Sequence, residues 1–262
     1  MVMKSLGIIA DDLTGSLDTG VQFSKRGVDS LVGLQHGALP DASCVIVNTD
    51  SRTMRADAAA KAVKDAAALL RGRVVYKKID STLRGNLGAE LLAALHGLGV
   101  NKGVVAPAFP ATGRTVLGGR LLVNGLPLER TGFSNDPLNA IAESHVPTLL
   151  QQQTGEPVGL IELDIVERGA SAIYEAITHR SERIIVVDAE SGKHLAELAL
   201  AIVRSEGAWL PVGSAGLAEA LPAALDLCSA QGDGQPVLTV DGPVLVVAGS
   251  RNEVTAEQVR EL

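Results

Sequence analysis

Aromatic side chains are scarce: two tyrosines, three phenylalanines and one tryptophan make up 2% of 262 residues. A core built almost without rings must rest on Ala, Val, Leu and Ile. At 46% hydrophobic residues the chain has ample material for one. That composition suits helices packed on a mostly parallel sheet, whose buried strands read as short continuous apolar runs. Cysteine is scarce too. Cys44 and Cys228 form no CxxC motif and no Cys/His cluster, which argues against a structural zinc site. Cys44, inside "SCVIVNT", reads as a buried reduced thiol. No stretch approaches the ~20 apolar residues of a membrane-spanning helix. The apolar start of "MVMKSLGIIADD" stops at two acids, too short for a signal peptide. A cytoplasmic protein without membrane contact is expected. Positive charge is in deficit: 23 Lys and Arg face 30 Asp and Glu, a formal charge of −7. That balance argues against a nucleic-acid partner, which wants a basic face. A local basic cluster can still hold a small anion.

Known phosphate and nucleophile motifs are missing as well. There is no GxxxxGK[ST] loop, no GxGxxG after a strand, no DxD and no GxSxG. The five histidines, His36, His96, His145, His179 and His194, follow no HExxH or paired-ligand spacing. Surface or helix-end roles are expected for them, and no metal site.

What is present is an alternation. Strand candidates lie at 6–10, 30–34, 44–48, 73–79, 102–108, 158–163, 183–189, 209–213 and 243–250. Helix candidates lie between them, at about 16–26, 55–70, 85–97, 137–151, 167–180, 192–205, 215–225 and 254–262. Short apolar strands separated by helices mark βαβ units, so an α/β fold is expected: a mostly parallel sheet with helices on both faces. One segment breaks the rhythm. "GRLLVNGLPLER" (119–130) sets Asn124-Gly125 between apolar runs, the strongest short hairpin signal, and predicts an inserted β-hairpin. "SAQGDGQ" (229–235) lacks apolar periodicity and reads as a linker. The expected organisation is a substrate-binding domain over 1–230, a linker over 231–240, and over 241–262 the truncated start of a second domain.

In open α/β sheets ligands sit beyond the carboxyl ends of the strands. Four such ends carry polar clusters. The first is Asp11, Asp12, Thr14 and Ser16 in "IIADDLTGS", at a helix start. One acid of this pair is expected to cap the helix and the other to face ligand. The second is Asn48, Asp50, Ser51 and Arg52 in "NTDSRTM", where the planar arginine fork suits a carboxylate. The third is Lys78, Asp80, Ser81 and Arg84 in "YKKIDSTLRGN". Lys77 should face the other side of its strand, out of the pocket. The fourth is Arg114 in "PAFPATGRTV". The glycines of "VGSAGLAEAL" (212–221) read as a tight turn rather than a ligand loop. Together the clusters describe a pocket with cations for an anion and acids for hydroxyls, the chemistry of a small polyhydroxy acid. An aspartate there can also accept a proton from a hydroxyl attacking a phosphate, and Asp80 and Asp12 are both candidates.

"IADDLTGSLDTG", "NTDSR", "YKKIDSTLRGN", "PAFPATGRTV" followed by "LVNG", and "VLVVAGS" together resemble the four-carbon acid sugar kinases, most of all the D-threonate kinase branch. The resemblance implies an N-terminal domain that binds the acid sugar and a C-terminal nucleotide-binding domain as its partner. It implies ATP and Mg²⁺ as cofactors, both used mainly by that second domain, and phosphorylation of the sugar's 4-hydroxyl in the cleft. Carried over residue by residue, it implies that Asp12, Arg52, Lys78, Ile79, Asp80 and Ser81 contact substrate and that Ser250 contacts nucleotide. Erythronate, L-threonate and keto-acid kinases of the same family are alternatives, and a non-catalytic sugar-acid-binding module is an alternative of another class. A homodimer is left open. Family members are longer than this chain, so these 262 residues alone are expected to bind substrate weakly and not to turn over.

Overall fold

The computed structural model describes residues 5–33, 42–135, 143–227, 242–249 and 253–262. The chain divides into two units, Met1–Gly232 and Asp233–Leu262.

In the first unit the strands are β1 (Leu6–Ala10), β2 (Ser30–Gly33), β3 (Cys44–Asn48), β4 (Val74–Lys78), β5 (Lys102–Ala106), β6 (Arg114–Leu117), β7 (Arg120–Val123), β8 (Leu126–Pro127), β9 (Val158–Ile161), β10 (Ile184–Val187) and β11 (Trp209–Gly213). Eight of them form one sheet in the order β2-β3-β1-β4-β11-β5-β10-β9, with every pairing parallel. The helices are α1 (Leu13–Ser24), α2 (Ala56–Leu69), α3 (Leu87–Leu98), α4 (Val146–Thr154), α5 (Leu163–Val166), α6 (Ala170–His179), α7 (Gly192–Arg204) and α8 (Ala215–Ala224). They pack in two rows, α2 on α3 on α4, and α1 on α8 on α7 on α6. One row covers each face, as the expected α/β architecture requires. β1, β10 and β11 are buried along their whole length, which is why they read as unbroken apolar runs. Cys44 is fully buried, and that burial pushes its thiol up to about 12.

From β1 the chain runs outward through β2 and returns to β3. It then crosses over to β4, on the other side of β1. The direction of winding therefore reverses beside β1, and the crevice between the ends of β1 and β4 is where such a sheet accepts a ligand.

Two glycines after β11 serve packing rather than ligand binding. A Cβ on Gly213 would lie 2.6 Å from Ala106 O, and one on Gly216 would lie 2.4 Å from Ala108 O. Ser214, between them, donates from Oγ to Ala108 O at 2.7 Å and accepts from the Tyr76 hydroxyl through its carbonyl at 2.5 Å.

The expected hairpin is present and larger than anticipated: β6, β7 and β8 make a three-stranded antiparallel sheet. Asn124 and Gly125, with φ of 50° and 79°, form the β7–β8 turn. A second turn, Gly118-Gly119, joins β6 to β7. Its amides donate to Asp188, at the end of β10, at 2.7 and 2.8 Å, which ties the small sheet to the large one. Two helix starts differ from expectation. α1 begins at Leu13, because the Asp12 side chain caps it by accepting from Gly15 N at 2.8 Å. α4 begins at Val146, with His145 as its cap and Pro147 in its first turn. Residues 137–142 of the expected 137–151 helix lie outside the described residues.

In the second unit α9 spans Glu253–Glu261. The strand expected at 243–250 is not formed over 242–249. A strand exists only by pairing, and this run has no paired neighbour among the described residues. Its Leu245 and Val247 are 87% and 83% exposed. The expected 231–240 linker lies outside the described residues. Among the described residues no helix is long and apolar enough to cross a membrane.

Candidate functional site

Three of the four predicted strand ends converge in the crevice beside β1. The centre is Arg52. Its Nε and Nη2 grip both oxygens of Asp11, at 2.7 and 3.0 Å, and its Nη1 holds Asp12 at 2.6 Å. Nη2 also lies 3.7 Å from Asp80 Oδ1. The fork geometry explains the residue type, since an ammonium has no planar pair of donors to bind both Asp11 oxygens in parallel while holding Asp12. Burial alone would lower the guanidinium pKa, but the Asp11, Asp80 and Asp12 carboxylates raise it above the usual arginine value. Gly85, at φ +95°, lets the backbone pass close: a Cβ there would meet Arg52 Cγ at 3.3 Å and Asp11 Oδ2 at 3.5 Å.

Asp80, just beyond β4, faces Arg52 and is gripped from the other side by Arg84, whose Nε and Nη2 donate at 2.8 and 3.0 Å. The Thr82 hydroxyl donates to the same carboxylate. Burial would raise the Asp80 pKa, but hydrogen bonds from Arg84, the charges of Arg52 and Arg84, and Thr82 outweigh it. The carboxyl is held well below the usual range.

Lys78 is the last residue of β4 and is buried. Its Nζ donates to Ile79 O at 2.9 Å, and among the described residues it forms no ion pair. Burial lowers its pKa against the opposing pull of Asp11, Asp80 and Asp12. Gly15 leaves room for the ammonium, because a Cβ there would sit 3.0 Å from Nζ and 2.5 Å from Asp12 Oδ1. Chemically the crevice offers a buried cation for an anionic group and carboxylates that can accept from hydroxyls.

The remaining predicted residues divide. Ile79 is buried and its amide donates to Gly213 O at 2.8 Å, while Ser81 is half-buried in the turn after Asp80. Asp50 is exposed at φ 50° and serves the turn, with its amide donating to Asn48 Oδ1 at 3.2 Å. Of the adjacent acids, Asp12 caps α1 while both pair with Arg52, so neither stands apart to face ligand alone. Arg114 lies on the small sheet, donating to Thr112 O at 3.1 Å with its guanidinium 5.7 Å from the Phe133 ring centre. No contact joins it to the Arg52 cluster among the described residues. Ser250 lies outside the described residues.

Sequence reasoning missed the support behind this cluster. Lys77, fully buried on the opposite face of β4, pairs with Glu90 at 2.8 Å. Glu90 accepts from the Ser51 hydroxyl at 2.7 Å. Asn86 Nδ2 donates to Ser51 O and Met54 O at 3.2 and 2.9 Å. A signal existed: Glu90 sits three residues after Leu87 and four before Ala94, on the apolar stripe of α3.

The chain is 44% identical over 259 residues to the D-threonate kinase of Salmonella typhimurium, covering 96% of this chain and 59% of that protein. It is 37% identical over 254 residues to the D-erythronate kinase of Heliobacterium modesticaldum, covering 92% and 58%. Among solved structures it resembles a domain of unknown function from Bordetella bronchiseptica, a domain-swapped dimer with bound citrate. That likeness has a TM-score of 0.75 and 38% identity and covers 84% of this chain and 56% of the other. The chain thus spans about three fifths of the length of the curated relatives it matches. Residues 6–221 match the family described as the sugar-binding N-terminal domain, and the chain belongs to that family.

Proposed function

We propose that this chain is the substrate-binding part of an ATP-dependent kinase that phosphorylates a four-carbon acid sugar, converting D-threonate to 4-phospho-D-threonate in the cytoplasm. The observation that carries the reading is the buried Lys78 ammonium, set among three carboxylates without an ion pair of its own. Among the described residues its one hydrogen bond goes to Ile79 O, so the ammonium keeps donors for an anion that enters the crevice. Arg52, Lys78 and Arg84 are assigned to the substrate carboxylate. Asp12, Asp80, Ser81 and the backbone at Ile79 are assigned to its hydroxyls. Of the two candidate bases, Asp80 is held ionised by two arginines and is a poor proton acceptor. Asp12, whose side chain keeps 22% of its surface exposed, is the stronger candidate. The citrate bound by the Bordetella relative, itself a hydroxy acid, supports the substrate class, and its dimeric state supports a homodimer here.

ATP and Mg²⁺ are assigned to a C-terminal nucleotide-binding domain, with Ser250 at its opening. The described residues of this chain do not fit the metal. Among them no three His, Cys, Asp or Glu converge on a metal position, and Asp11, Asp12 and Asp80 are engaged by arginines.

The name of the Heliobacterium relative favours erythronate as a second reading within the same chemistry. A thermal-shift screen of the full-length protein decides between them. D-threonate, D-erythronate, L-threonate and 3-oxo-tetronate are compared, followed by ATP-dependent kinetics on any acid that stabilises. D-threonate is expected to give the largest shift. No shift with any of the four overturns the proposal.

A further inference from the structure

We infer that Glu90 of α3 is a positioning residue for Arg52, acting through Ser51, an inference that rests on Arg52 as a substrate-binding residue. Arg52 enters the crevice from an irregular turn between β3 and α2. That turn contains Asp50 in the left-handed region, at φ 50°, which a non-glycine residue adopts only when its surroundings hold it there. Its own backbone bonds are few: Thr49 N donates to Ala10 O at 2.9 Å, Arg52 N to Asp11 O at 3.2 Å and Met54 N to Ser51 O at 3.0 Å.

Beside the Asn86 amide, which donates to Ser51 O and Met54 O, the turn is held by a buried polar chain. Lys77 Nζ donates to Lys78 O at 2.7 Å and pairs with Glu90 Oε2 at 2.8 Å. Glu90 Oε1 accepts from Ser51 Oγ at 2.7 Å. With its proton on Glu90, Ser51 Oγ accepts from Thr49 Oγ1 at 2.7 Å, and Thr49 lies against β1 with its Oγ1 and N 2.9 Å from Ala10 O. Thr49, Ser51, Lys77 and Glu90 are each at most 3% exposed. The chain thus links the backbone of β4, at the residue that carries the crevice ammonium, to the backbone of β1 just before Asp11. It passes directly behind Arg52.

A buried ion pair is a poor way to gain stability, since an apolar pair of the same volume usually does as well. Its distinctive property is direction. Charge-assisted hydrogen bonds are shorter and stronger than neutral ones, and both Glu90 oxygens are committed to fixed partners. Ser51 is thereby fixed in place, and Arg52 follows in register with Asp11. The adjacent lysines of β4 then have separate tasks: Lys78 meets the ligand, and Lys77 orients the carboxylate that holds the Arg52 turn.

The test uses the full-length protein with Ser51→Ala and Glu90→Gln. Hydrogen exchange over residues 49–54 reads the turn without any ligand. In both variants it is expected to rise about tenfold or more, the loss corresponding to one buried hydrogen bond, with β5 and β10 unchanged. The KM for D-threonate should rise by a similar factor while the KM for ATP stays fixed. Unchanged exchange over 49–54 overturns the inference, and so does equal loss of protection across β5 and β10. If Glu90→Gln does not fold, Ser51→Ala decides alone. Should the parent protein bind no four-carbon acid while exchange still rises as expected, the substrate reading fails and the positioning of Arg52 stands.

Discussion

Replacing Arg52 by alanine removes the counter-ion of Asp11 and Asp12 at once. Asp11 is the costlier loss, because its side chain is 4% exposed and both its oxygens are bonded to the guanidinium. Removing one partner of a buried pair typically costs about 3–5 kcal/mol. Two features reduce the figure here. Arg52 itself keeps 13% of its side-chain surface, and the Lys78 ammonium remains close enough to act on the same carboxylates. A loss of about 2–4 kcal/mol is therefore expected, or a fall in Tm of about 5–15 °C for a domain of this size. Urea unfolding should show a lower midpoint at constant slope. Arg52→Lys should recover at most about half of the loss, since an ammonium cannot reproduce the fork. A double-mutant cycle with Asp11→Asn isolates the pair and should give a coupling of at least ~1.5 kcal/mol. A coupling within about 0.5 kcal/mol of zero would refute the reasoning, because nothing else described in the crevice binds both Asp11 oxygens.

Acid sensitivity follows from Asp80. Its folded pKa lies below its unfolded one, so the stability it supplies is present above the ordinary carboxylate range and is lost as pH falls through that range and below. Urea midpoints between about pH 5 and 3 should fall, and Asp80→Asn should flatten that slope. Lys78→Met should change stability by no more than about 1 kcal/mol, because the attraction to Asp11, Asp80 and Asp12 that is lost is offset by relief of the cation's burial. D-threonate affinity by calorimetry should drop about tenfold or more, and unchanged affinity would displace Lys78 from the pocket. Gly216→Ala should destabilise by about 2–4 kcal/mol in denaturant titrations. The helix propensity that alanine gains is outweighed by a Cβ 2.4 Å from Ala108 O, and a neutral result would mean that this backbone yields. Residues 1–262 on their own should show no ATP-dependent phosphorylation of D-threonate in a coupled assay, and turnover would contradict the division of labour proposed.

The strand ends were legible because each apolar run stops abruptly in polar residues, and parallel strands point those ends the same way. Sheet order was not legible. β11 inserts between β4 and β5 although it comes last in the sheet's chain order, a choice made by packing between distant segments and by Gly213 fitting against Ala106 O. Arg114 looked equivalent to the other strand-end cations, but the small sheet carries it to Phe133 instead. The apolar run at 243–249 has the composition of a strand without a pairing edge, and pairing is what composition cannot supply. Glu90 went unnoticed because a lone acid in a helix usually faces water, and only Lys77 on another element makes its burial tolerable.

Arg52, Lys78 and Arg84 against Asp11, Asp12 and Asp80 make three positive and three negative groups, a constellation with no net charge inside a chain of −7. An anionic ligand therefore meets no attractive far field, and its association rate should belong to the unsteered class and respond little to salt. Selection happens at contact. On the assignment proposed for Arg52, an incoming carboxylate has to displace Asp11 or Asp12 from a guanidinium they already occupy, so the crevice holds its own resident competitors. An acid that reaches Lys78 but cannot offer Arg52 a better pair of oxygens than Asp11 does gains nothing by entering. The threshold for admission is set by residues of the protein rather than by rival solutes.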